Sequence, residues 1–228
     1  MKKILTLIMC AAILFCTACA KNGEDITSSE QPHNEELSQQ IINEDLKNKN
    51  SENSDAVLWL KMEGCEIDNP VFQGEDNDEY LRLDENGQGN IWGCYFLDYI
   101  NKIENGEFVD KVNIIYGHSK NDDPNSKKFS KLKRYKDEKF AKENPSITLD
   151  LLYNSTNWQI FAATDIPIEI DYIDPNPDDE KYAETLNYML ENSYVDFGVD
   201  VTTEDQILVL STCTSDENVR FVVAAVLN

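Results

Sequence analysis

Eight short runs of β-forming residues after residue 55 constrain the fold more than any other feature of this sequence. Each run is rich in aliphatic, β-branched or aromatic residues, and Gly, Asn, Asp and Pro separate the runs. The predicted strands are Val57–Met62, Pro70–Gln73, Ile91–Tyr99, Val112–Gly117, Ser146–Tyr153, Trp158–Ile170, Gln206–Thr212 and Arg220–Leu227. Many short strands joined by turns favour a mainly β barrel or sandwich.

Helical patterns interrupt and precede these strands. Apolar residues share one helical face in Ser126–Glu143 and again in Pro177–Tyr194, so the second segment predicts a long helix between two late strands. Apolar residues also recur at helical spacing in Glu35–Lys49. That segment is either a short amphipathic helix lying on the domain or a charged linker with nascent helix, because so short a helix is marginal without packing.

The charge balance excludes some classes of partner. The chain has 43 Asp and Glu against 20 Lys and Arg, a formal charge of −23, so electrostatic binding to nucleic acid or to an anionic membrane surface is not expected. Apolar residues make up 41% of the chain, which is enough for one domain with its own core. The only histidines are His33 and His118, and the three cysteines that follow the first 19 residues, Cys65, Cys94 and Cys213, form no CxxC pair, so no metal site is expected.

The first 19 residues have the pattern of an export signal. Lys2 and Lys3 precede an uncharged run, Ile4–Ala20. The segment Cys16–Cys19 resembles the lipobox of bacterial lipoproteins, in which Cys19 would be lipidated. An uncleaved anchor is the alternative, although 17 uncharged residues are at the lower limit for a membrane-spanning helix.

Residues 20–34 are predicted to be a polar tether, and residues 35–228 a folded domain. Between Ala20 and Asp55 only six of 36 residues are apolar, which is too few to bury much surface. With either kind of N-terminal attachment, the domain is expected on the outer face of the cell membrane.

Three reactive residues lie at predicted strand ends. Cys213 ends one strand, Arg220 opens the next, and His118 follows a third. A thiolate nucleophile needs a nearby base, and a guanidinium can hydrogen-bond a developing oxyanion. Each residue alone is more often structural, but strand ends meet at the rim of a barrel. The three together therefore predict a cysteine-dependent active site.

The segments that carry these residues resemble the motifs of sortases, the cysteine transpeptidases that attach proteins to Gram-positive cell walls. The matching segments are Tyr116-Gly117-His118, Leu210-Ser211-Thr212-Cys213 and Arg220-Phe221-Val222-Val223. Class B sortases are the most similar, through Asn69–Asn77 with Tyr80-Leu81, Phe96–Tyr99 and Phe129–Tyr135. The helix predicted within Tyr182–Tyr194 is similar to the extra helix of class B.

The resemblance implies an eight-stranded sortase β-barrel with one or more N-terminal helices and an extra helix before the Cys213 strand. It implies cleavage of an Asn-Pro-X-Thr-like sorting signal after Thr, with Cys213 as nucleophile, His118 as acid and base, and Arg220 binding substrate and oxyanion. Ser211 and Thr212 either contact the substrate or only finish their strand. No metal or organic cofactor is implied. The implied partners are a surface protein bearing the signal and an amine of peptidoglycan or its precursor.

Two other functions remain open at this point. One is a sortase-fold binding lipoprotein without turnover, and the other is a cysteine peptidase that releases its product to water, since a thioester also reacts with water. Cys65 and Cys94 are interpreted as structural residues. A disulfide between them is an option in an exported chain, but sequence alone does not decide the pairing.

Overall fold

The protein is described from a computed structural model that covers residues 41–120 and 122–228. The strands of this part of the chain are Ala56–Met62 (β1), Ile67–Phe72 (β2), Tyr95–Leu97 (β3), Ile103–Glu104 (β4), Glu107–Phe108 (β5), Val112–Tyr116 (β6), Ser146–Asp150 (β7), Ser155–Pro167 (β8), Ile207–Cys213 (β9) and Val219–Leu227 (β10). The α-helices are Glu44–Glu52 (α1), Glu79–Arg82 (α2), Glu138–Glu143 (α3) and Asp179–Glu191 (α4), and 3₁₀ helices span Glu63–Cys65 and Lys128–Lys136.

Eight of the strands close into a barrel in the order β1-β2-β3-β6-β9-β10-β8-β7, with β7 pairing back onto β1. The pairs β2–β3 and β6–β9 are parallel, and the other pairs are antiparallel. Strands β4 and β5 form a separate small hairpin. The predicted mainly β fold with eight barrel strands is confirmed, and so is the long helix before the Cys213 strand.

The long strands β9 and β10 are apolar on both faces because both faces are covered. On β9, Leu208 and Leu210 lie in the larger core cluster of the barrel. Ile207 and Val209 lie in a second cluster, which also contains residues of α4. A strand buried on two sides has no polar alternation, which explains its continuous apolar sequence.

Helix α4 begins at a capped N-terminus and packs one face against the sheet. The Asp178 carboxylate accepts a hydrogen bond from the Lys181 amide at 2.9 Å, which satisfies a free donor of the first turn. Tyr182, Leu186 and Met189, spaced by four and three residues, are the buried face.

Several predicted boundaries were wrong, each for a local reason. The strand predicted over Ile91–Tyr99 is only Tyr95–Leu97. Gly93 has a φ of +51°, and a Cβ there would lie 2.3 Å from the Tyr80 carbonyl oxygen, so the backbone turns at a position that only glycine fits. The strand predicted to reach Ile170 ends at Pro167, which has no amide to donate.

The segment Ser126–Glu143 is two helices rather than one. The first is the 3₁₀ helix Lys128–Lys136 and the second is α3. They are separate because Asp137 has extended backbone angles and its side chain caps α3, accepting from the Phe140 amide at 2.8 Å.

Helix α1 confirms the N-terminal helix but begins later than predicted. Asn43 caps it, accepting from the Leu46 amide at 2.9 Å, and Leu46 is completely buried. Ile42 therefore precedes the helix and is 48% exposed. Residues 1–40 lie outside the described residues, so the export segment 1–19, the tether 20–34 and lipidation of Cys19 stay predictions.

Candidate active site

The hairpin formed by β9 and β10 places Cys213 directly opposite Arg220. The two residues are register partners beside the turn that joins the two strands. The turn between them is closed by the Thr214 hydroxyl, which bonds to the Asp216 carbonyl at 2.9 Å and the Val219 carbonyl at 3.2 Å. Cys213 is exposed, whereas the six residues before it in β9 are buried. The thiol therefore stands where the covered part of the strand ends.

The parallel pairing of β6 with β9 carries His118 to the same end of the barrel. Tyr116 is the register partner of Ser211, and the Gly117 amide donates to the Ser211 carbonyl at 3.3 Å. His118 lies two residues beyond Tyr116, as Cys213 lies two residues beyond Ser211. Parallel strands end at the same edge of a sheet, so the pairing brings the imidazole and the thiol to one rim.

The backbone before His118 is closely confined. A Cβ on Gly117 would lie 2.7 Å from the Phe129 ring and 2.8 Å from the Tyr95 ring. The imidazole itself is oriented by a main-chain group, because its Nε2 lies 2.9 Å from the Leu81 carbonyl oxygen. A carbonyl only accepts, so Nε2 carries the hydrogen of this bond and Nδ1 is the nitrogen that can exchange a proton.

A groove of about 260 Å³ lies at this rim. Its lining residues are Asn77, Asp78, Leu81, Phe96, Tyr116, Gly117, His118, Ser211, Thr212, Cys213 and Arg220. The structure thus brings the three predicted catalytic residues and both tentative substrate contacts to one concave surface. A larger concavity of about 600 Å³ is lined mainly by residues of β1, β2, β7 and their flanking loops, and contains none of them.

The Arg220 guanidinium is held by its own hairpin. Its Nη1 donates to the Glu217 carbonyl at 2.8 Å and to the Val219 carbonyl at 3.1 Å. A guanidinium has five N–H groups in a fixed plane, and among the residues that the structure describes only Nη1 of Arg220 has protein acceptors, so the other donors can face a ligand. The backbone bonds fix the direction in which those donors point.

Ser211 and Thr212 are buried, and each hydroxyl already has a protein partner. The Ser211 hydroxyl lies 2.9 Å from the Tyr172 hydroxyl, and the Thr212 hydroxyl donates to the Gly117 carbonyl. The second bond ties the Cys213 strand to the backbone next to His118. The roles of Ser211 and Thr212 as substrate contacts stay a prediction. The structure adds that the Thr212 hydroxyl holds the ends of β6 and β9 together.

One wall of the groove comes from residues that sequence analysis did not assign to the site. Leu81 is in α2, Asn77 lies just before that helix, and Phe96 is on β3. The Tyr116 ring packs against Phe96 with centroids 5.2 Å apart, and its hydroxyl donates to the buried Asp98 carboxylate at 2.8 Å. Burial raises the pKa of Tyr116 well above its ordinary value, so this hydroxyl stays protonated. Asn77 and Leu81 stand inside matched segments, but their sequence gives no sign that they would face Cys213.

Cys65 and Cys94 are both free thiols in the structure, so the optional disulfide between them is absent. Both are buried, and neither lines the groove. Burial raises the pKa of Cys65 to about 12 and the pKa of Cys94 to about 12, so both stay protonated at neutral pH.

We expect iodoacetamide at pH 7.5 to alkylate Cys213 in the folded protein and to leave Cys65 and Cys94 unmodified. Alkylation needs an accessible thiolate, and the two buried residues offer neither access nor charge. Peptide mass mapping before and after unfolding measures this. Labelling of Cys65 or Cys94 as fast as that of Cys213 in the folded protein would contradict the assignment.

No group of three or more His, Cys, Asp or Glu side chains in residues 41–120 and 122–228 is arranged to hold a metal ion. None of the helices in these ranges has the length and apolar composition needed to span a bilayer.

Comparison with known proteins adds to this geometry. No protein-family model matches the sequence. The chain is 30% identical over 178 residues to sortase B of Listeria monocytogenes, covering 78% of this chain and 70% of that protein. It is 31% identical over 177 residues to sortase B of Staphylococcus aureus, covering 76% and 70%.

The fold comparison agrees. A solved Staphylococcus aureus sortase B–substrate complex matches with a TM-score of 0.73 and 28% identity, covering 83% of this chain and 87% of that chain. The sequence identity extends over more than two thirds of this chain and of both relatives, and the barrels share one fold. The chain belongs to the class B sortases and is a cysteine transpeptidase.

Proposed function

We propose that this sortase cleaves a sorting signal of the Asn-Pro-X-Thr kind after Thr and joins the Thr carbonyl to an amine of the cell wall. The observation that supports the site most directly is the position of Cys213 opposite Arg220 in a groove that His118 also lines. The substrate complex of the S. aureus relative supports a signal peptide as the occupant of this groove.

The first half-reaction forms a thioester. The Cys213 thiolate attacks the Thr carbonyl carbon, the carbon–nitrogen bond breaks, and the new carbon–sulfur bond holds the acyl group. His118, protonated at Nδ1, gives its proton to the leaving amine, because an amide nitrogen leaves as an amine and not as an anion.

The second half-reaction returns the enzyme to its starting state. An incoming amine loses its proton to His118 and attacks the thioester carbonyl. A new amide bond forms, and the sulfur leaves as a thiolate. Each turnover therefore exchanges one amide bond for another, and no metal, oxidant or organic cofactor enters the balance.

Arg220 is proposed to stabilise the oxyanion that develops in both half-reactions, or the substrate carbonyl beside it. Because Arg220 and Cys213 are register partners, their side chains lie on the same face of the hairpin, and both residues line the groove. Leu81 and Phe96 provide an apolar wall that suits the proline of the signal.

The N-terminal attachment is part of the proposal. Lipidation of Cys19, or an uncleaved anchor within residues 1–19, would tether the catalytic domain to the outer face of the membrane. The tether would hold the enzyme near its two partners, a signal-bearing surface protein and peptidoglycan or its precursor. Metabolic labelling with a fatty-acid probe, compared between the natural chain and Cys19→Ala, tests which attachment is used.

The signal can be tested with fluorescence-quenched Asn-Pro-X-Thr and Ser-Pro-X-Thr peptides, with and without an added amine such as triglycine. We expect cleavage of the Asn-Pro-X-Thr peptide, an acyl adduct on Cys213 when no amine is present, and faster release with an amide-linked product when it is. Release to water at a rate that the amine does not change would mark a peptidase. No cleavage and no adduct across the panel would contradict the proposed signal.

We expect Arg220→Lys to lower kcat/KM for the signal peptide by about 10²-fold. Lysine keeps the charge, but its ammonium cannot bond the Glu217 and Val219 carbonyls while also presenting directed donors to the groove. Steady-state kinetics measure the loss. Arg82→Lys at the end of α2 is the matched control, and equal activity of both variants would contradict the role of Arg220.

A further inference from the structure

Lys133 is a buried cation on the 3₁₀ helix Lys128–Lys136. Only 4% of its side chain is exposed, and it does not line the groove. Moving an ammonium out of water is costly unless the protein supplies hydrogen-bond and charge partners. The groups that contact the Lys133 ammonium therefore indicate which parts of the structure it holds together.

The ammonium has two hydrogen-bond acceptors and one ion-pair partner. Nζ donates to the Ser119 hydroxyl at 2.7 Å and to the Cys213 carbonyl oxygen at 3.2 Å, and it forms an ion pair with Asp122. Ser119 immediately follows His118 in the chain. One side chain thus contacts the nucleophile's own main chain and the segment that follows the imidazole.

Asp122 extends the connection to the turn after the nucleophile. Its second carboxylate oxygen accepts from the Ser215 amide at 2.9 Å. The hydrogen bond from Lys133 lowers the pKa of Asp122 to about 2, so the carboxylate is charged at any pH at which the enzyme would work. We call the pair Asp122 and Lys133 the clasp.

The same 3₁₀ helix holds the segment after His118 at a second point. The Lys120 amide donates to the buried Ser130 hydroxyl at 2.9 Å, and Ser130 lies 3.4 Å from the Ser119 hydroxyl. Ser130 and Lys133 therefore bind the segment that follows His118 to the 3₁₀ helix. The clasp then connects that segment to the turn that follows Cys213.

We propose that Lys133 is a positioning residue for the transpeptidation reaction, acting with Asp122 to fix the segments that carry Cys213 and His118 in one relative position. The proposal rests on the roles given above to those two residues. Thioester formation needs the thiol, the imidazole and the substrate carbonyl aligned, and misplacement by about 1 Å lowers the rate about 10²-fold. The clasp joins chain segments 80 residues apart at the point where that alignment is set.

The test is Lys133→Met, which keeps the length of the side chain and removes its charge. We expect kcat for the signal peptide to fall about 10- to 100-fold, with KM within about twofold of the wild type, because Lys133 does not line the groove. Rates are scaled to the folded fraction, which is measured by thermal unfolding. A purely structural role would change the folded fraction and leave kcat unchanged.

Lys131→Met is the matched control. Lys131 lies on the same 3₁₀ helix and pairs with the exposed Glu66 at 2.7 Å. Within the described part of the chain, its side chain has no hydrogen bond or ion pair with the segments that follow His118 and Cys213. We expect its kcat to equal that of the wild type. An equal loss of kcat in both lysine variants would overturn the proposal.

Asp122→Asn provides a second, milder variant, because the Asp122 side chain is 38% exposed and tolerates substitution. We expect a loss of kcat of about tenfold or less, and a double variant whose loss is smaller than the product of the two single losses, since both substitutions break one interaction. Strictly multiplicative losses would show that the two residues act separately and would overturn the clasp.

Deuterium exchange gives a readout that does not depend on the sorting signal. We expect Lys133→Met, but not Lys131→Met, to speed exchange in the peptides containing Lys120 and Ser215. Equal exchange in wild type and Lys133→Met overturns the clasp even if no peptide in the panel is cleaved. Faster exchange with unchanged kcat overturns the positioning role. A wild type that cleaves nothing contradicts the proposed signal instead, and exchange then decides for or against the clasp.

Discussion

Replacing Cys213 by alanine is expected to abolish both cleavage of the signal peptide and the acyl adduct. We expect a fall in kcat of at least about 10³-fold, because the thioester cannot form without the sulfur and neither His118 nor Arg220 can take its place as the nucleophile. The groove should still bind the peptide, since the apolar wall formed by Leu81 and Phe96 is unchanged. Quenched-peptide kinetics, intact-mass spectrometry and peptide binding by anisotropy measure the three quantities.

The matched control for this variant is Cys94→Ala. Cys94 is a buried thiol that does not line the groove, and burial raises its pKa to about 12. We expect this variant to lose some stability, through a small cavity, and to keep its kcat. If Cys213→Ala still formed an acyl adduct, or if only Cys94→Ala lost activity, the assignment of the nucleophile would be wrong.

Replacing His118 by alanine is expected to lower kcat for the amide substrate by about 10²- to 10⁴-fold, the usual contribution of a general acid and base. The loss should be much smaller in the acylation step for a Thr ester with a good leaving alcohol. An alkoxide of that kind leaves without a proton, whereas an amine does not. Single-turnover rates on the amide and the ester measure the difference.

His33→Ala serves as the control, because His33 is the only other histidine in the chain. We expect it to behave as the wild type on both substrates. Equal losses of the amide and ester reactions in His118→Ala would show that the imidazole orients other groups and does not supply the proton.

The sequence predicted the parts of the site that depend on local pairing. Cys213 and Arg220 are separated only by the turn Thr214–Asn218 and by Val219, so two apolar runs that form a hairpin must bring them together. The position of His118 was also predictable, since it follows an apolar strand and strand ends meet at the rim of a barrel. The fold followed from the number and spacing of the runs and from their resemblance to sortase motifs.

Strand and helix limits were less predictable, because side chains and backbone angles at single residues set them. The strand at Ile91 fails because Gly93 turns the backbone against Tyr80, and α1 begins at Glu44 because Asn43 caps it. Neither event changes the hydrophobic pattern on which the predictions depended.

The sequence by itself thus indicated a mainly β barrel, and it predicted that Cys213, His118 and Arg220 would meet at one rim of that barrel. Only the tertiary structure showed that the Leu81 carbonyl orients His118 from 37 residues away, and that Lys133 lies beneath Cys213 from 80 residues away. Local pairing leaves a periodic trace in the sequence because neighbouring residues share one element. The contacts of a buried lysine or a main-chain carbonyl produce no such pattern, because they depend on how distant segments of the chain pack once the barrel has closed.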